Sequence, residues 1–162
     1  MEQLAETLKK ASSFDELFRA VKRVVKRRLG IRRAGLGLIL ADLPMAVAGF
    51  TALGSNSIVL NRRLLASIHA VAGTREELNS FVFIVLLHEY LHTLGYGEET
   101  TRMLVKKIIH QELGPGHVAS KLADKSLYEI YPQIRFVKPA SANPEEVVIV
   151  KDFDTESMSY IS

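Results

Sequence analysis

Two histidines and a glutamate in one short segment are the residues of this sequence best suited to metal chemistry. His88 and His92 lie four positions apart in the run HEYLH, and Glu89 follows the first of them. Four residues of an α-helix turn through about 400°, so both imidazoles project from the same face, one turn apart. Two imidazoles at that separation can bind one Zn²⁺ at about 2.0–2.1 Å each. The spacing therefore predicts one bound zinc ion per chain, held on a helix.

Glu89 is predicted to work beside this metal rather than to bind it. A carboxylate in so apolar a segment needs a partner, because an unpaired buried charge is costly. A water molecule activated by the metal is such a partner, since its pKa falls toward about 7 and a nearby carboxylate can take its proton. The residue types thus favour a hydrolase with Glu89 as the general base.

The composition limits the other ligands and partners. The chain of 162 residues contains no cysteine, so disulfides and thiolate metal sites are excluded, and any metal must be bound by His, Asp or Glu. This length fits one domain. The net charge of +3 is compatible with nucleic-acid binding but does not demand it. The N-terminus MEQLAETLKK lacks the apolar core of a signal peptide, which predicts a cytoplasmic protein.

The elements that must position HEYLH can be read from caps and periodicity. Thr74 and Glu77 have the spacing of a capping box, and the run FVFIVLL is apolar on every side, so the helix is expected to be buried all round. Gly95 stands where a left-handed residue would end this helix. A further helix is predicted from about Glu99 to Leu113.

The remaining segments predict a small sheet. AGLGLILAD, AVAGF and SIVLN are typical of short strands, and EVVIVKDF near the C-terminus is strand-like. Asp42 and Pro44 interrupt the longest apolar region, which argues against a membrane span. We therefore predict an α+β fold in which a short mixed sheet packs against the buried HEYLH helix. Residues 1–138 form the single domain, and residues 139–162 form a C-terminal extension packed on it.

A basic helix is predicted near the N-terminus, between a Ser13 cap and a Gly30 stop. Its solvent face is expected to carry Arg19, Lys22, Arg23, Lys26, Arg27 and Arg28, followed by Arg32 and Arg33. A solvated surface is the simplest interpretation of residues 19–33. Weak nucleic-acid binding through the same face is the functional alternative.

The run from His88 to Glu98 resembles the zincin metalloproteases, and most fully the metzincin pattern HExxHxxGxxH. In that family a glycine at the position of Gly95 turns the chain, and the last residue of the pattern becomes the third ligand. The resemblance implies a zincin-like domain that cleaves a peptide or protein substrate, with His88, His92 and Glu98 as zinc ligands.

This sequence departs from the metzincin pattern, which has His where Glu98 stands. A carboxylate is an acceptable zinc ligand. The gluzincin branch takes a Glu from the following helix, so Glu99 is the alternative third ligand. His117, after a Gly-Pro-Gly turn, is a more distant alternative. His69 is expected to be structural or exposed, and His110 to face solvent.

Two further features follow from the same resemblance. Met158, in the run ESMSY, is similar to the methionine of the turn that lies beneath the metal in metzincins. Tyr96 and Tyr160 are the candidates for donating a hydrogen bond to the oxyanion.

A second family resemblance gives an alternative to the peptidase interpretation. The segment also resembles the H-G-x-L-H-x-x-G-Y-D-H motif of YbeY-type endoribonucleases, which Leu91, Gly95 and Tyr96 match together with the two histidines. That family has Gly where Glu89 stands and His where Glu98 stands. A non-catalytic metal-binding protein that regulates or binds a partner is the third interpretation. An open coordination position distinguishes a catalytic zinc from a structural one.

Overall fold

The structure is a computed structural model that describes residues 3–52, 54–139 and 141–154. The helices are α1 (Leu4–Lys10), α2 (Phe14–Leu29), α3 (Arg62–Val71), α4 (Arg75–Thr93), α5 (Glu98–Leu113), α6 (Val118–Asp124) and α7 (Leu127–Ile130), followed by a 3₁₀ helix (Pro132–Phe136). The strands are β1 (Gly37–Ala41), β2 (Gly49–Thr51), β3 (Ser57–Asn61) and β4 (Val147–Val150). The predicted α+β class is confirmed.

The sheet is short and mixed, as predicted. Its strand order is β2-β3-β1-β4, so β2 and β4 are the two edges of the sheet in the described chain. β1 runs parallel to β3, with Leu38 beside Ile58, and antiparallel to β4, with Leu38 beside Val150. β2 pairs antiparallel to β3. The strand predicted within EVVIVKDF is therefore confirmed, and it completes the sheet at the end opposite to β2.

Helix α4 lies at the centre of the molecule, where helices α1, α2, α5 and α6 and strand β2 pack against it. The Thr74 hydroxyl accepts a hydrogen bond from the Glu77 backbone N–H (3.2 Å), as the predicted cap requires. From Phe81 to Leu91 only Ile84 and His88 are part-exposed. Gly95 has a φ of 103°, which favours glycine, and it turns the chain from α4 toward α5. The prediction that this helix is buried all round is correct except on the side of Ile84 and His88, which are part-exposed.

Lys22 corrects the predicted solvent face of α2. Its side chain is only 2 % exposed, and it forms an ion pair with Asp154, which is 1 % exposed. The second carboxylate oxygen of Asp154 accepts a hydrogen bond from the Leu36 backbone N–H (2.9 Å). Phe153 stacks on Phe18, with ring centroids 4.6 Å apart. The ammonium group tolerates burial because a distant segment supplies a carboxylate, which the periodicity of α2 does not reveal.

The predicted division of the chain at residue 138 stays a prediction. Beyond that point, β4 joins the sheet, and Asp154 joins the core. None of the helices in the described ranges is long and apolar enough to cross a membrane.

Candidate metal centre

Three side chains from two helices converge beside the Gly95 turn. His88 and His92 project from the C-terminal half of α4, and Glu98 is the first residue of α5. His88 Nε2 lies 3.1 Å from Glu98 Oε1, and His92 Nε2 lies 2.9 Å from the same oxygen. The two Nε2 atoms are 3.1 Å apart. Among the described residues, His88, His92 and Glu98 form a group whose ligand atoms lie close enough together to hold a metal ion.

The chemistry of this donor set fits a cation. Lone-pair atoms at such short separations repel each other unless protons or a cation lie among them. Tetrahedral zinc with bonds of about 2.0–2.1 Å spaces its ligand atoms by about 3.3 Å. The observed separations of 2.9–3.1 Å are close to that value.

His92 is oriented by the turn that follows it. Its Nδ1 lies 2.9 Å from the carbonyl oxygen of Tyr96. A carbonyl oxygen can only accept, so Nδ1 donates and Nε2 of the neutral ring keeps its lone pair. Metal-binding histidines are commonly held in this way, with the second nitrogen hydrogen-bonded to a backbone carbonyl or carboxylate. The turn thus fixes the tautomer that can bind a metal.

Glu98 is oriented by an arginine on its own helix. Arg102 donates to Glu98 Oε2 (2.7 Å), which leaves Oε1 facing the two histidines. Partial burial acts to raise the pKa of Glu98, but its contacts with His88, His92 and Arg102 outweigh it and hold the pKa below its ordinary value. Glu98 is therefore a carboxylate at neutral pH, which is the form that binds zinc.

Glu89 lies beside this group and is buried. The residue is only 5 % exposed, and Thr51 donates a hydrogen bond from its hydroxyl to Glu89 Oε1 (3.0 Å). Burial raises the pKa of Glu89 above its ordinary value, although the hydrogen bond from Thr51 opposes the change. A carboxylate with a raised pKa is a better proton acceptor than an exposed one. Glu89 is not a member of the three-residue group.

Thr51 reaches Glu89 because β2 passes unusually close to α4. A Cβ atom on Gly49 would lie 3.1 Å from Val85 Cγ1 on α4, and 2.7 Å from the Val59 carbonyl oxygen on the neighbouring strand β3. Only glycine fits this approach without a shift of the strand. Thr51 is two residues further along β2, on the same face, and so points at α4 as well. Sequence reasoning missed Thr51, and the glycine of AVAGF is the signal that could have indicated the contact.

The other candidate residues lie apart from the group. Glu99 is exposed on α5 and does not belong to the three-residue set. His117 caps α6 by accepting from the Ala119 N–H (3.0 Å) and pairs with Glu76. His110 is part-exposed and pairs with Asp124, and His69 is exposed. Met158 and Tyr160 lie outside the described residues.

The group opens into a cleft of about 1150 Å³. α4 forms one side, with Phe81, Ile84 and Val85 continuing the line of His88. Strand β2 and the segment before it line a second side, and residues of α5, α6 and α7 line the third. The Tyr96 side chain also borders this cleft. A volume of this size accommodates several residues of an extended chain or a small molecule.

Comparison of the chain with protein-family models, curated proteins and solved structures finds no match. The zincin-like and ribonuclease-like interpretations therefore depend on the quoted motifs and on the geometry of the site.

Zinc analysis of single variants tests the ligand set. The parent chain should bind about one zinc ion, and His88→Ala and His92→Ala should each abolish this binding. Glu98→Ala should weaken binding about 10-fold or more, since even outer partners of a ligand contribute about 10–100-fold. Glu99→Ala is the matched control and should bind as the parent does. Equal affinities for the two glutamate variants would contradict Glu98 as the third ligand.

The basic surface of α2 has fewer free cations than the sequence suggests. Arg27 and Arg28 both pair with Glu112 on α5, at 2.6 and 2.7 Å. The Arg33 guanidinium donates to the Thr93 carbonyl oxygen (2.7 Å), at the end of α4. These arginines already bind groups within the protein, so they are less available to contact phosphate groups.

We expect any nucleic-acid binding by this surface to be weak and steeply salt-dependent. Sequence-independent phosphate contacts give dissociation constants of about 10⁻⁴–10⁻⁶ M at physiological salt, and the affinity falls as salt rises. Fluorescence anisotropy with two RNAs of unrelated sequence, from low to high salt, measures both properties. Binding that survives high salt, or that prefers one RNA strongly, would contradict this expectation.

Proposed function

We propose that the protein is a zinc-dependent peptide hydrolase. The observation that carries this proposal is the position of Glu89, a buried carboxylate beside, and not within, the converging group of His88, His92 and Glu98. A purely structural site has no need of a fourth, buried acid next to its ligands. The cytoplasmic location expected from the sequence stays a prediction.

His88, His92 and Glu98 would hold the metal through Nε2, Nε2 and Oε1. When bound, zinc supplies Lewis-acid chemistry, because it lowers the pKa of a coordinated water and polarises a carbonyl group. Glu89 accepts the proton that the attacking water loses as its oxygen bonds to the peptide carbonyl carbon. Glu89 then passes this proton to the leaving amine as the C–N bond breaks.

Thr51 positions the general base. Its hydroxyl donates to Glu89 Oε1, so the other carboxylate oxygen is the one available for proton transfer. This hydrogen bond also restricts the rotation of the carboxylate. Thr51 is therefore a positioning residue rather than a catalytic one.

The cleft supports an extended peptide as the substrate. Strand β2 lines the cleft and is an edge of the sheet, so one side of its backbone has no strand partner in the described chain. An extended peptide can add to such an edge by main-chain hydrogen bonds. Phe81, Ile84 and Val85 then offer an apolar surface beside His88 to a side chain of the substrate.

The endoribonuclease alternative receives less support from the site. Arg33 and Arg102, two of the cations that border the cleft, are engaged with Thr93 and Glu98. The position that is Gly in that family is occupied by the buried Glu89. The same assay tests both activities if it includes a structured RNA.

Digestion of a peptide library at neutral pH, followed by mass spectrometry, tests the proposal. Zinc-loaded protein should cleave a subset of peptides, and a chelator should abolish cleavage that added zinc then restores. Peptides with a large apolar residue at the cleaved bond should be enriched. Specific cleavage of the RNA alone would replace the proposal with the endoribonuclease. Stoichiometric zinc without cleavage of either substrate would favour a non-catalytic metal-binding protein.

A further inference from the structure

The face of the sheet that points away from α4 carries an apolar row from edge to edge. Gly49 and Thr51 face α4, so the alternate residues of the sheet face outward. The strand register brings four outward residues into one row: Phe50, Val59, Ile39 and Ile149. Ile149 is 70 % exposed, and Phe50 is 41 % exposed. Exposed apolar rows of this kind are typical of contact surfaces.

The row ends at an edge strand that lacks the usual protection. β4 consists of Val147, Val148, Ile149 and Val150, of which the first three are exposed. Natural sheets protect an open edge with lysine, proline, a bulge or a covering segment. β4 contains no charged residue and no proline, and no described strand pairs with its outer side. Within residues 3–154 as described, the outer side of its backbone is therefore open to another strand.

The charged residues before and after β4 indicate which partner it can pair with. Glu145 lies in the turn before the strand, Glu146 between them pairs with Arg62, and Lys151 directly follows the strand. In the part of the chain that the structure describes, neither the Glu145 nor the Lys151 side chain has a hydrogen-bond or ion-pair partner. A strand that carries a negative charge before it and a positive charge after it is complementary to an antiparallel copy of itself.

We propose that a second copy of this chain pairs with β4 across a two-fold axis. A two-fold axis perpendicular to the sheet places the outer faces of both copies on the same side. Residues that lie opposite each other across the axis must therefore project from the same face of the sheet. With the axis at Val148, Val147 lies opposite Ile149 of the other copy, and Glu145 lies beside its Lys151. The result is a continuous eight-stranded sheet whose outer face carries the apolar rows of both copies.

This dimer leaves the cleft free. The proposed contact uses β4, whereas the cleft is bordered by β2 at the opposite edge of the sheet. The inference is therefore independent of the proposed hydrolase activity, and either can fail without the other.

A disulfide across the axis tests the register directly, because the chain has no cysteine of its own. In Val148→Cys the paired Cα atoms would lie about 4.5–5.5 Å apart, within the range of a disulfide. Mild oxidation should then convert most of the protein to a covalent dimer. Ile149→Cys is the matched control, since its Cα atoms would lie about 8 Å apart, beyond disulfide range.

Exchanging the charges at positions 145 and 151 and measuring the mass in solution test whether the partner is a second copy of the chain. Sedimentation equilibrium of the unmodified protein should approach twice the 18.1 kDa mass of the chain as concentration rises. Lys151→Glu should weaken dimerisation about 2–30-fold, and the double variant Glu145→Lys/Lys151→Glu should restore it. A monomer at all concentrations, an open-ended series of larger species, or a disulfide at position 149 and not at 148 would overturn the proposal.

Discussion

Replacing Glu89 by Gln should lower kcat for peptide cleavage by about 10²–10⁴-fold, which is the usual contribution of a general base. The amide keeps the shape of the side chain and can still accept the hydrogen bond of the Thr51 hydroxyl, but it cannot take a proton at neutral pH. Zinc content should stay at one ion per chain because Glu89 is not among the three converging residues. The melting temperature should stay level or rise, because a buried carboxylate is removed.

Glu99→Gln is the control for this experiment. It makes the same chemical change ten positions away, at an exposed residue outside the metal group. The control should keep the activity of the parent, so the comparison isolates the position of the carboxylate. A Glu89→Gln variant that cleaves at the parental rate would show that another group accepts the proton. A variant that has lost its zinc would instead place Glu89 among the ligands.

Replacing Asp154 by Asn should lower the free energy of unfolding by about 3–5 kcal/mol, the usual cost of removing one partner from a buried ion pair. The substitution leaves the Lys22 ammonium in a site where its side chain is only 2 % exposed. Asn also tolerates the left-handed backbone at this position, where φ is 54°, so the change tests the charge rather than the conformation. Urea denaturation followed by circular dichroism measures the difference.

Two further variants make this result specific. Asp152→Asn removes an exposed carboxylate from a similar left-handed position and should change stability by about 0.5 kcal/mol or less. Lys22→Met combined with Asp154→Asn removes both charges and should recover much of the lost stability, because an apolar replacement of a buried pair is often neutral. Additive effects of the two substitutions would contradict a direct interaction.

The two histidines of the candidate metal centre could be placed on one face of a helix because their spacing is local. Helix α4 has a strong cap, an apolar interior and a terminal glycine, so its bounds and the common face of His88 and His92 follow from a few neighbouring positions. Glu98 was predicted from the resemblance to the metzincin pattern, in which the last residue, three positions after the glycine, is the third ligand. The class of fold followed from the same local patterns.

The contacts that were missed join residues far apart in sequence. Thr51 and Glu89 meet because β2 approaches α4 at Gly49. The sequence around Glu89 does not predict which strand packs beside it. Lys22 has the periodicity of a solvent-facing position, and its burial depends on Asp154 near the other end of the chain. The strand order, with β4 beside β1, likewise depends on long-range pairing that composition and periodicity do not encode.

The pairing of the first strand with the last has a consequence for biosynthesis. Val150 aligns with Leu38, and Asp154 reaches Lys22, so both contacts form only after the segment from Val147 to Asp154 has been translated. A nascent or prematurely terminated chain that ends before Val147 leaves one side of β1 unpaired and an ammonium group without its carboxylate. Such a chain exposes a strand edge that chaperones and proteases can bind. A chain translated through Asp154 covers this side of β1 and pairs the Lys22 ammonium with its carboxylate, so it lacks the two features that mark the shorter chain.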